Sequence, residues 1–421
     1  MKSSLFSLRN IRRLYGGLSL VLFFVLIVIT DYRFMKGYEV NIFLKLDPLV
    51  AIGTLLSTGT IYRGLFLSLA VVLLTIVFGR FFCSWLCPLG VLNQILSSVK
   101  PDPSGQFRYN RFRPLYRLKY YVLAVLVLLG LFKVFQIGLL DPIALLTRTT
   151  STLVVPAVNR ATGLVYAKDF MAQGGVALAV VFVLVIFANR IVPRFWCRVL
   201  CPLGALLGFF ASFSVLRIWR DEQKCTNCLL CLKNCHGGCD PHRDLKFSDC
   251  HLCMNCLEDC PEGAIHYGIE KPSSVPQGSV DLSKRRLVET VVFSAFLVPL
   301  WKSSASAEKK PSARLIRPPG ALPEEDFVRK CIKCGQCMKV CPTNALQPAL
   351  FEAGFDGLWS PILVPRIGYC EYGCVLCSQV CPTGAIRPIR PEEKIKRPIK
   401  IGTAFYDRCR CLPWAMNIDC I

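Results

Sequence analysis

Four long apolar runs occupy the first half of the chain, separated by polar segments. Their cores are residues 16–30, 65–78, 121–132 and 176–188. Each core can extend through its flanks to the roughly 20 residues that cross a bilayer as a helix. A weaker fifth run covers residues 287–301. The pattern predicts an α-helical membrane domain of four transmembrane helices, followed by a fifth helix that anchors the rest of the chain.

The membrane domain contains an internal repeat. Residues 80–90 and 194–204 share the pattern Arg-Phe-x-Cys-x-x-x-Cys-Pro-Leu-Gly, and each segment directly follows an apolar run. A Leu-Asp-Pro tripeptide precedes each of these runs, at residues 46–48 and 140–142. The repeat predicts two parallel halves of two transmembrane helices each, related by a pseudo-twofold axis along the bilayer normal.

Composition and charge agree with a membrane protein and suggest its orientation. The chain is 53% hydrophobic and only 19% charged, and its basic residues crowd before the first run, after the second and after the fourth. Cytoplasmic connections carry such an excess of Lys and Arg. We therefore expect a cytoplasmic N terminus in a bacterial-type inner membrane. Because these flanks account for most of the formal charge of +22, we expect no nucleic acid partner.

Sixteen of the 24 cysteines form four quartets after the membrane repeat. Three quartets have the spacing Cys-x-x-Cys-x-x-Cys-x-x-x-Cys, and the last has one extra residue. In two-cluster ferredoxins of this spacing, three cysteines of a loop bind one 4Fe-4S cluster and the fourth binds the neighbouring cluster. Zinc ribbons lack the third regular cysteine, and disulfide frameworks belong to small secreted domains, so both alternatives are disfavoured.

The cross-over rule predicts the ligands of four clusters. Cluster 1 takes Cys225, Cys228, Cys231 and Cys260; cluster 2 takes Cys250, Cys253, Cys256 and Cys235; cluster 3 takes Cys331, Cys334, Cys337 and Cys381; cluster 4 takes Cys370, Cys374, Cys377 and Cys341. Cys235 precedes His236 instead of the usual proline, and Cys239 is a second candidate for its place. Cys235 is preferred because it preserves the spacing.

The membrane repeat adds two further candidate sites. Cys83, Cys87, Cys197 and Cys201 form a complete four-thiolate set, which predicts a shared fifth metal centre. The alternative is that they are buried small apolar side chains or redox-active thiols. Asp47 and Asp141 precede proline, as helix caps do. Ionisable groups at membrane depth tend to be functional, so we also predict that they accept protons from a bound quinol.

The pattern divides the chain into four predicted parts. Residues 1–215 form the membrane domain, 216–275 a cytoplasmic α+β ferredoxin domain with two 4Fe-4S clusters, 276–310 the fifth helix, and 311–421 a second, periplasmic ferredoxin domain. The fifth helix begins at a twin-arginine-like segment and ends near Ala-Ser-Ala at 305–307, as an export signal does. A helix lying on the membrane surface is the alternative.

A few cysteines and the histidines remain outside these sites. Cys411 and Cys420 form half of a further cysteine motif at the end of the chain, whereas Cys239 and Cys409 receive no role. A surface or structural role is predicted for the four histidines, which are His236, His242, His251 and His266.

These motifs resemble two families that are usually separate proteins. Residues 1–275 resemble NapH-type membrane ferredoxins, which are related to NosR- and CcoG-type proteins, through the duplicated Cys-x-x-x-Cys-Pro-Leu-Gly and the first two quartets. Residues 283–421 resemble NapG- or MauM-type polyferredoxins, through residues 317–323, the last two quartets, and residues 401–404 and 411–414.

The resemblance implies a function. It implies an oxidoreductase subunit of the quinol dehydrogenase type, which takes electrons from menaquinol in the membrane. The electrons would pass to other subunits of a respiratory complex, such as a multihaem cytochrome or a periplasmic reductase. The alternative is an iron–sulfur sensor, or an assembly protein for a metalloenzyme, of NosR or CcoG type.

Overall fold

The computed structural model describes residues 7–35, 37, 39–60, 64–98, 110–161, 175–242, 245–269, 289, 292, 315–350, 352–397, 399–403, 407–409, 411–416 and 418–419. These residues form a helical domain with a small cysteine-rich domain at each end. Apart from residues 289 and 292, the predicted fifth helix lies outside the described residues, as does Cys420.

The helical domain contains four long apolar helices and several short ones. In chain order they are α1 (Leu8–Ile29), α2 (Ile42–Lys45), α3 (Pro48–Thr58), α4 (Gly64–Phe78), α5 (Phe82–Trp85), α6 (Pro88–Ser98), α7 (Leu118–Leu131), α8 (Ile137–Leu140), α9 (Pro142–Thr149), α10 (Val155–Ala161), α11 (Gly175–Ile191) and α12 (Pro202–Ala211).

Two of the four predicted spans are long and apolar enough to cross a membrane within the described residues. They are α1 and the segment Pro114–Leu131, in which one 3-10 turn leads into α7. Helices α4 and α11 are equally apolar but have 15 and 17 residues. At its end α4 stops at Gly79, whose φ of +89° cannot continue a right-handed helix.

Four short helices begin inside the helical domain, and each begins at an Asp-Pro or a Cys-Pro step. Helices α3, α6, α9 and α12 each start with proline, whose fixed φ and missing N–H suit the first helical position. The preceding residues are Asp47, Cys87, Asp141 and Cys201, and each side chain accepts a backbone hydrogen bond from its own helix. Asp-Pro and Cys-Pro are therefore four equivalent helix starts.

The N termini of these four helices converge in the interior. Helices α3 and α9 run outward to the second cysteine-rich domain, where Ser57 Oγ donates to the Arg329 carbonyl at 2.8 Å. Helices α6 and α12 run the opposite way, and Gly208 of α12 lies against the Ser248 carbonyl of the first cysteine-rich domain. Helix α3 packs on α12, and α6 packs on α9, so each helix meets one from the other repeat.

Each cysteine-rich domain combines a two-stranded antiparallel sheet with short helices. In the first, β1 (Leu216–Arg220) pairs with β2 (Ile265–Ile269), and the quartet loops lead into α13 (Leu230–Lys233) and α14 (Asn255–Asp259). The second contains α15 (Glu324–Lys330), α16 (Gln336–Val340), β3 (Leu346–Pro348), β4 (Pro361–Leu363), α17 (Leu376–Gln379) and α18 (Pro391–Lys396), and α19 (Leu412–Met416) follows it.

The two cysteine-rich domains dock at opposite ends of α1. At its start, Arg9 forms salt bridges with Glu258 and Asp259 of the first domain. Just beyond its end, Asp31 pairs with Lys339 of the second domain at 3.5 Å. A helix of this length rises about 33 Å, which is close to the thickness of the hydrocarbon core of a bilayer.

A buried ion pair joins the first cysteine-rich domain to the helical domain. Lys119 of α7 contacts Asp249, and the two side chains are only 1% and 7% exposed. Arg80 Nη1 also donates to the neighbouring Ser248 carbonyl at 2.7 Å. These contacts hold the second quartet loop against the membrane cysteines.

We expect Lys119→Met to loosen this contact strongly. The change leaves the Asp249 carboxylate buried without its cation, which costs about 3–5 kcal/mol. Urea unfolding of the solubilised protein, followed by tertiary circular dichroism, should show a lower midpoint. The double variant Lys119→Met/Asp249→Leu removes both charges and should recover most of the loss. A single variant as stable as the wild type would contradict the prediction.

Candidate functional site

Three of the four quartet loops share an unusual backbone conformation. The residues on either side of the second cysteine are left-handed in each loop, with φ between +46° and +80°. They are Asn227 and Leu229, Leu252 and Met254, and Lys333 and Gly335. Left-handed backbone costs roughly 1–2 kcal/mol for a residue other than glycine. Its recurrence in three loops indicates a functional constraint, because such turns direct successive N–H groups towards one anionic centre.

The folded loops gather the thiols in four sets. One cavity is lined by Cys225, Cys228, Cys231 and Cys260, and another by Cys331, Cys334, Cys337 and Cys381. Cys256 interacts electrostatically with Cys250, Cys253 and Cys235, and Cys377 with Cys374, Cys370 and Cys341. In every set one thiol comes from the other loop of the same domain, which is the arrangement that the cross-over rule predicts.

The donor chemistry of these sets fits 4Fe-4S clusters. Backbone N–H groups approach the sulfurs of Cys260 and Cys381 at 3.3 and 3.5 Å, and Lys394 Nζ approaches that of Cys370 at 3.4 Å. Such donors stabilise thiolates. Among the described residues, no three His, Cys, Asp or Glu side chains surround a single-ion site. The thiolates of a cube bind different iron atoms, so its ligands need not converge on one point.

Cys239 lies beside the predicted cluster 2 ligand Cys235. Their sulfurs are 3.6 Å apart, and Cys239 also interacts with Cys250. The hydrogen bond from Cys239 lowers the pKa of Cys235 to about 6 in spite of its burial, whereas the pKa of Cys239 is raised. Either sulfur could be the donor in this contact. With Cys239 as the donor Cys235 is the thiolate, and Cys235 stays the predicted ligand.

This geometry predicts different effects of removing the two thiols. Cys235→Ala should lose cluster 2, whereas Cys239→Ser should keep it, because serine preserves a donor near the Cys235 sulfur. Iron content and the electron paramagnetic resonance spectrum of the dithionite-reduced protein measure both outcomes. If Cys235→Ala retained full iron and Cys239→Ala lost a cluster, the two assignments would have to be exchanged.

The four membrane cysteines come together in the interior. All four are buried, and Cys201 interacts electrostatically with Cys197, Cys83 and Cys87. Arg80 Nη2 lies 3.7 Å from the Cys83 sulfur, and Asn93 Nδ2 lies 3.8 Å from that of Cys197. Two helix N termini with partial positive charge begin at Cys87 and Cys201. The site therefore combines four buried thiols with hydrogen-bond donors and helix N termini, which offset part of the cost of burying a thiolate.

Asp47 and Asp141 also meet in the interior, and both are fully buried. Asp47 Oδ1 accepts from Leu49 N at 2.8 Å, and Asp141 Oδ2 accepts from Ala144 N at 2.7 Å, so each aspartate is a helix cap. The two carboxyl groups interact with each other. Their remaining oxygens, Asp47 Oδ2 and Asp141 Oδ1, accept no hydrogen bond from a described residue. A proton held between these oxygens would relieve the repulsion of two buried carboxylates.

Buried arginines link the membrane site to both cysteine-rich domains. Arg194 interacts with Cys197 and with the cluster 2 cysteine Cys253. On the other side, Asp141 interacts with Cys87 and with Arg148, which in turn interacts with Cys334. From the sequence, Arg80 and Arg194 were predicted only to flank the membrane helices. The repeat held a signal for two of them, since Arg80 and Arg194 occupy the same position in its two copies.

The histidines were predicted to have a surface or structural role. His251 and His242 are buried, at 1% and 6% exposed, so of the two alternatives they take the structural one. His266 stacks on Trp219, with ring centroids 4.5 Å apart. Cys411 is partly exposed, and its predicted companion Cys420 lies outside the described residues.

Comparison with known proteins identifies the same segments. A family model described as a 4Fe-4S binding domain matches residues 60–103 and 172–219, and thus both Cys-x-x-x-Cys pairs. A 4Fe-4S dicluster domain matches residues 330–385, which hold the third and fourth quartets. The ferredoxin-type protein NapH of Escherichia coli is 26% identical over 51% of this chain and 72% of its own length.

The chain is similar to ferredoxin-type proteins of the NapH and NosR type. The regulatory protein NosR of Pseudomonas aeruginosa is 29% identical over 42% of this chain and 23% of its own length. YccM of Escherichia coli is 26% identical over 49% of this chain, and the match spans only 56% of YccM. No solved structure matches the chain.

The matched 4Fe-4S domains and the gathered cysteines support an iron–sulfur protein of the electron-transfer class. Its two long apolar helices and its NapH relatives are consistent with membrane association. The second cysteine-rich domain has a separate relationship. The ferredoxin-type protein MauM of Methylorubrum extorquens is 44% identical over 62 residues, which are 14% of this chain and 27% of MauM.

Proposed function

We propose that the protein oxidises a quinol within its helical domain and delivers the electrons to a periplasmic acceptor. The observation that carries this proposal is the continuity of redox and proton-accepting groups from one cysteine-rich domain to the other. Clusters 1 and 2 are neighbours, because Cys231 interacts with Cys235. Clusters 3 and 4 are neighbours in the same way, because Cys337 interacts with Cys377.

The helical domain connects these pairs of clusters. Cys334 of cluster 3 belongs to the same apolar core as Cys83, Cys87 and Cys201. Ile332 of the same loop packs so closely on Gly138 that a Cβ there would lie 2.1 Å from its carbonyl oxygen. Electron transfer weakens steeply with distance, so this contact supports a path through the protein interior. The four membrane cysteines would hold the fifth centre on that path.

The reaction requires two electrons and two protons to leave each quinol as it becomes a quinone. Iron–sulfur clusters, when bound, accept one electron at a time. The pair would accept the two protons one at a time, each on the free oxygen of whichever of Asp47 and Asp141 is ionised, and would release the first before it takes the second. The positive ends of α3 and α9 and the nearby Arg148 favour one ionised carboxylate in the pair, which can then act as a base.

The proposal includes a membrane orientation. The first cysteine-rich domain, residues 216–275, would lie in the cytoplasm and the second, within residues 311–421, in the periplasm, with residues 276–310 crossing between them. The docking of the two domains at opposite ends of α1 supports this arrangement. Trypsin should cut at the exposed Lys224 only in inverted membrane vesicles and near the exposed Lys396 only in right-side-out vesicles.

The test of function is reduction by menaquinol in proteoliposomes that contain only this protein. The broad iron–sulfur absorption should bleach on addition of menaquinol, and the spectrum should recover when a periplasmic cytochrome fraction is added. Dithionite reduction of the same sample supplies the control for total cluster content. Clusters that remain oxidised with menaquinol would contradict the proposal.

A second candidate function rests on the similarity to a protein named regulatory protein NosR. Clusters that ignore menaquinol but are reduced by a cytoplasmic electron donor would favour an iron–sulfur sensor or a metalloenzyme assembly protein of NosR or CcoG type. The same proteoliposomes, with the donor added on the side of the first cysteine-rich domain, distinguish the two functions.

A further inference from the structure

A cationic cavity of about 250 Å³ lies where the helical domain meets the first cysteine-rich domain. Among the described residues its wall carries four cations and no carboxylate. The cations are Arg13, Arg194, Arg198 and Lys233, and uncharged polar groups complete the wall, namely Gln94, Ser97, Asn110, Asn234 and His236. A cavity with this wall favours a negatively charged occupant.

Two carboxylates of the first cysteine-rich domain, Glu258 and Asp259, are engaged elsewhere. Glu258 and Asp259 form salt bridges with Arg9, and Asp259 also accepts from Asn234 Nδ2 at 2.9 Å. In contrast, the buried Arg194 donates to the neutral Gln94 side chain at 2.9 Å. The described acidic residues therefore leave the charge of Arg194 without a carboxylate partner.

His236 supplies an unused hydrogen-bond donor to the same wall. Its Nε2 accepts from Asn255 Nδ2 at 3.2 Å, which places the ring proton on Nδ1. Nδ1 is buried and has no hydrogen-bond partner among the described residues. A buried donor without an acceptor is costly, so a turn of the His236 ring that brought Nδ1 to an oxyanion in the cavity would be favourable.

The occupant is distinct from cluster 2, although Cys235 lines one side of the cavity. The other thiols of that set, Cys250, Cys253 and Cys256, are absent from the described wall. One thiol is too few to hold a cluster, so the anion that the cationic wall favours is a separate one.

The position of the cavity suggests where this anion comes from. Arg13 directly precedes Leu14, which is 63% exposed, and Gln94 directly precedes Ile95, which is 52% exposed. At the end of α11, Ile191 is 60% exposed. The cavity thus opens at the boundary between the apolar surface of the helices and the polar first cysteine-rich domain, where basic pockets bind lipid headgroups.

We propose that this cavity binds a phosphate-bearing anion, either the headgroup of an anionic phospholipid or a soluble phosphate. The cavity is large enough for such a group. One water molecule needs only about 10–15 Å³ when volume is measured in the same way. A phosphate and the group esterified to it can therefore enter together. The lipid source rests on the membrane placement proposed above, whereas the soluble source does not.

The test titrates the cluster-loaded full chain in detergent with phosphatidylglycerol, or separately with inorganic phosphate, and measures binding by calorimetry. The cavity variant Arg13→Gln/Lys233→Gln removes two cations at its rim. The control variant Arg111→Gln/Lys224→Gln removes two exposed cations outside it. We expect the cavity variant to bind phosphatidylglycerol roughly 20-fold more weakly and the control to match the wild type. Iron content verifies that both variants fold.

The possible outcomes separate the two sources. Binding of phosphatidylglycerol that only the cavity variant weakens supports a lipid headgroup. Binding of inorganic phosphate with the same dependence, and without lipid binding, supports a soluble phosphate. No binding of either probe, or equal weakening in both variants, overturns the proposal. None of these results depends on quinol oxidation, so the cavity and the proposed function can fail independently.

Discussion

Replacing Cys83 and Cys197 together with serine should remove one iron–sulfur centre and leave four in place. The two cysteines come from different repeats, and the structure gathers them with Cys87 and Cys201 at the convergence of α6 and α12. Loss of one thiol from each repeat leaves two ligands, which are too few to hold a cluster. If the fifth centre is a cube, iron should fall by about a fifth.

The same variant should stop electron flow between the helical domain and the outer clusters. We expect reduction of clusters 3 and 4 by menaquinol to slow by at least roughly 100-fold, which corresponds to about 2.7 kcal/mol in the barrier. Dithionite should still reduce them, because the second cysteine-rich domain is unchanged. Iron and acid-labile sulfide analysis and stopped-flow absorption measure the two effects.

Cys409→Ser is the matched control, since Cys409 is exposed and belongs to no predicted set. It should leave iron content and reduction rates unchanged. If the Cys83→Ser/Cys197→Ser variant retained the full iron and sulfide content, the four membrane cysteines would be buried apolar side chains and not ligands.

Asp47→Asn and Asp141→Asn should each lower quinol oxidation far more than stability. Asn and Asp are comparable helix caps, and the new amide can donate to the free oxygen of the other aspartate. The fold should therefore change by less than about 1 kcal/mol. A general base contributes roughly 100- to 10,000-fold to a rate, and the amide cannot accept the proton.

The measurement compares the rate of cluster reduction by menaquinol with the rate by dithionite in the same variant. Only the menaquinol rate should fall. Asp47→Ser and Asp141→Ser serve as second substitutions that keep a cap without a carboxylate, and they should behave like the Asn variants. If activity fell only in proportion to the melting temperature, the aspartates would be helix caps and nothing more.

Sequence was most informative where ligand spacing is local. In the quartet at residues 331–341, the spacing of the cysteines already implied a curled loop, and the left-handed Lys333 and Gly335 supply that curl. The repeated Asp-Pro steps likewise predicted helix starts, because capping involves neighbours within one turn. Four apolar runs were visible, although only two form helices of spanning length within the described residues.

Sequence was least informative where partners are far apart in the chain. The choice between Cys235 and Cys239 depends on a hydrogen bond that no spacing rule describes. For His251 the sequence left a surface and a structural role open, because burial at a domain interface leaves no local pattern. Arg148 and the cationic cavity were not predicted for the same reason, since the environment of each is formed by side chains from several elements.

The sequence by itself determined which residues can carry the chemistry: four cysteine quartets, a duplicated Cys-x-x-x-Cys and a duplicated Asp-Pro. These motifs are set by the local geometry of loops and helix starts. Only the tertiary structure decided that four helix N termini meet, that Asp47 faces Asp141, and that the cysteine-rich domains dock at opposite ends. The physical reason is that thiol clustering and carboxylate pairing depend on distances through space, which packing of the whole chain fixes.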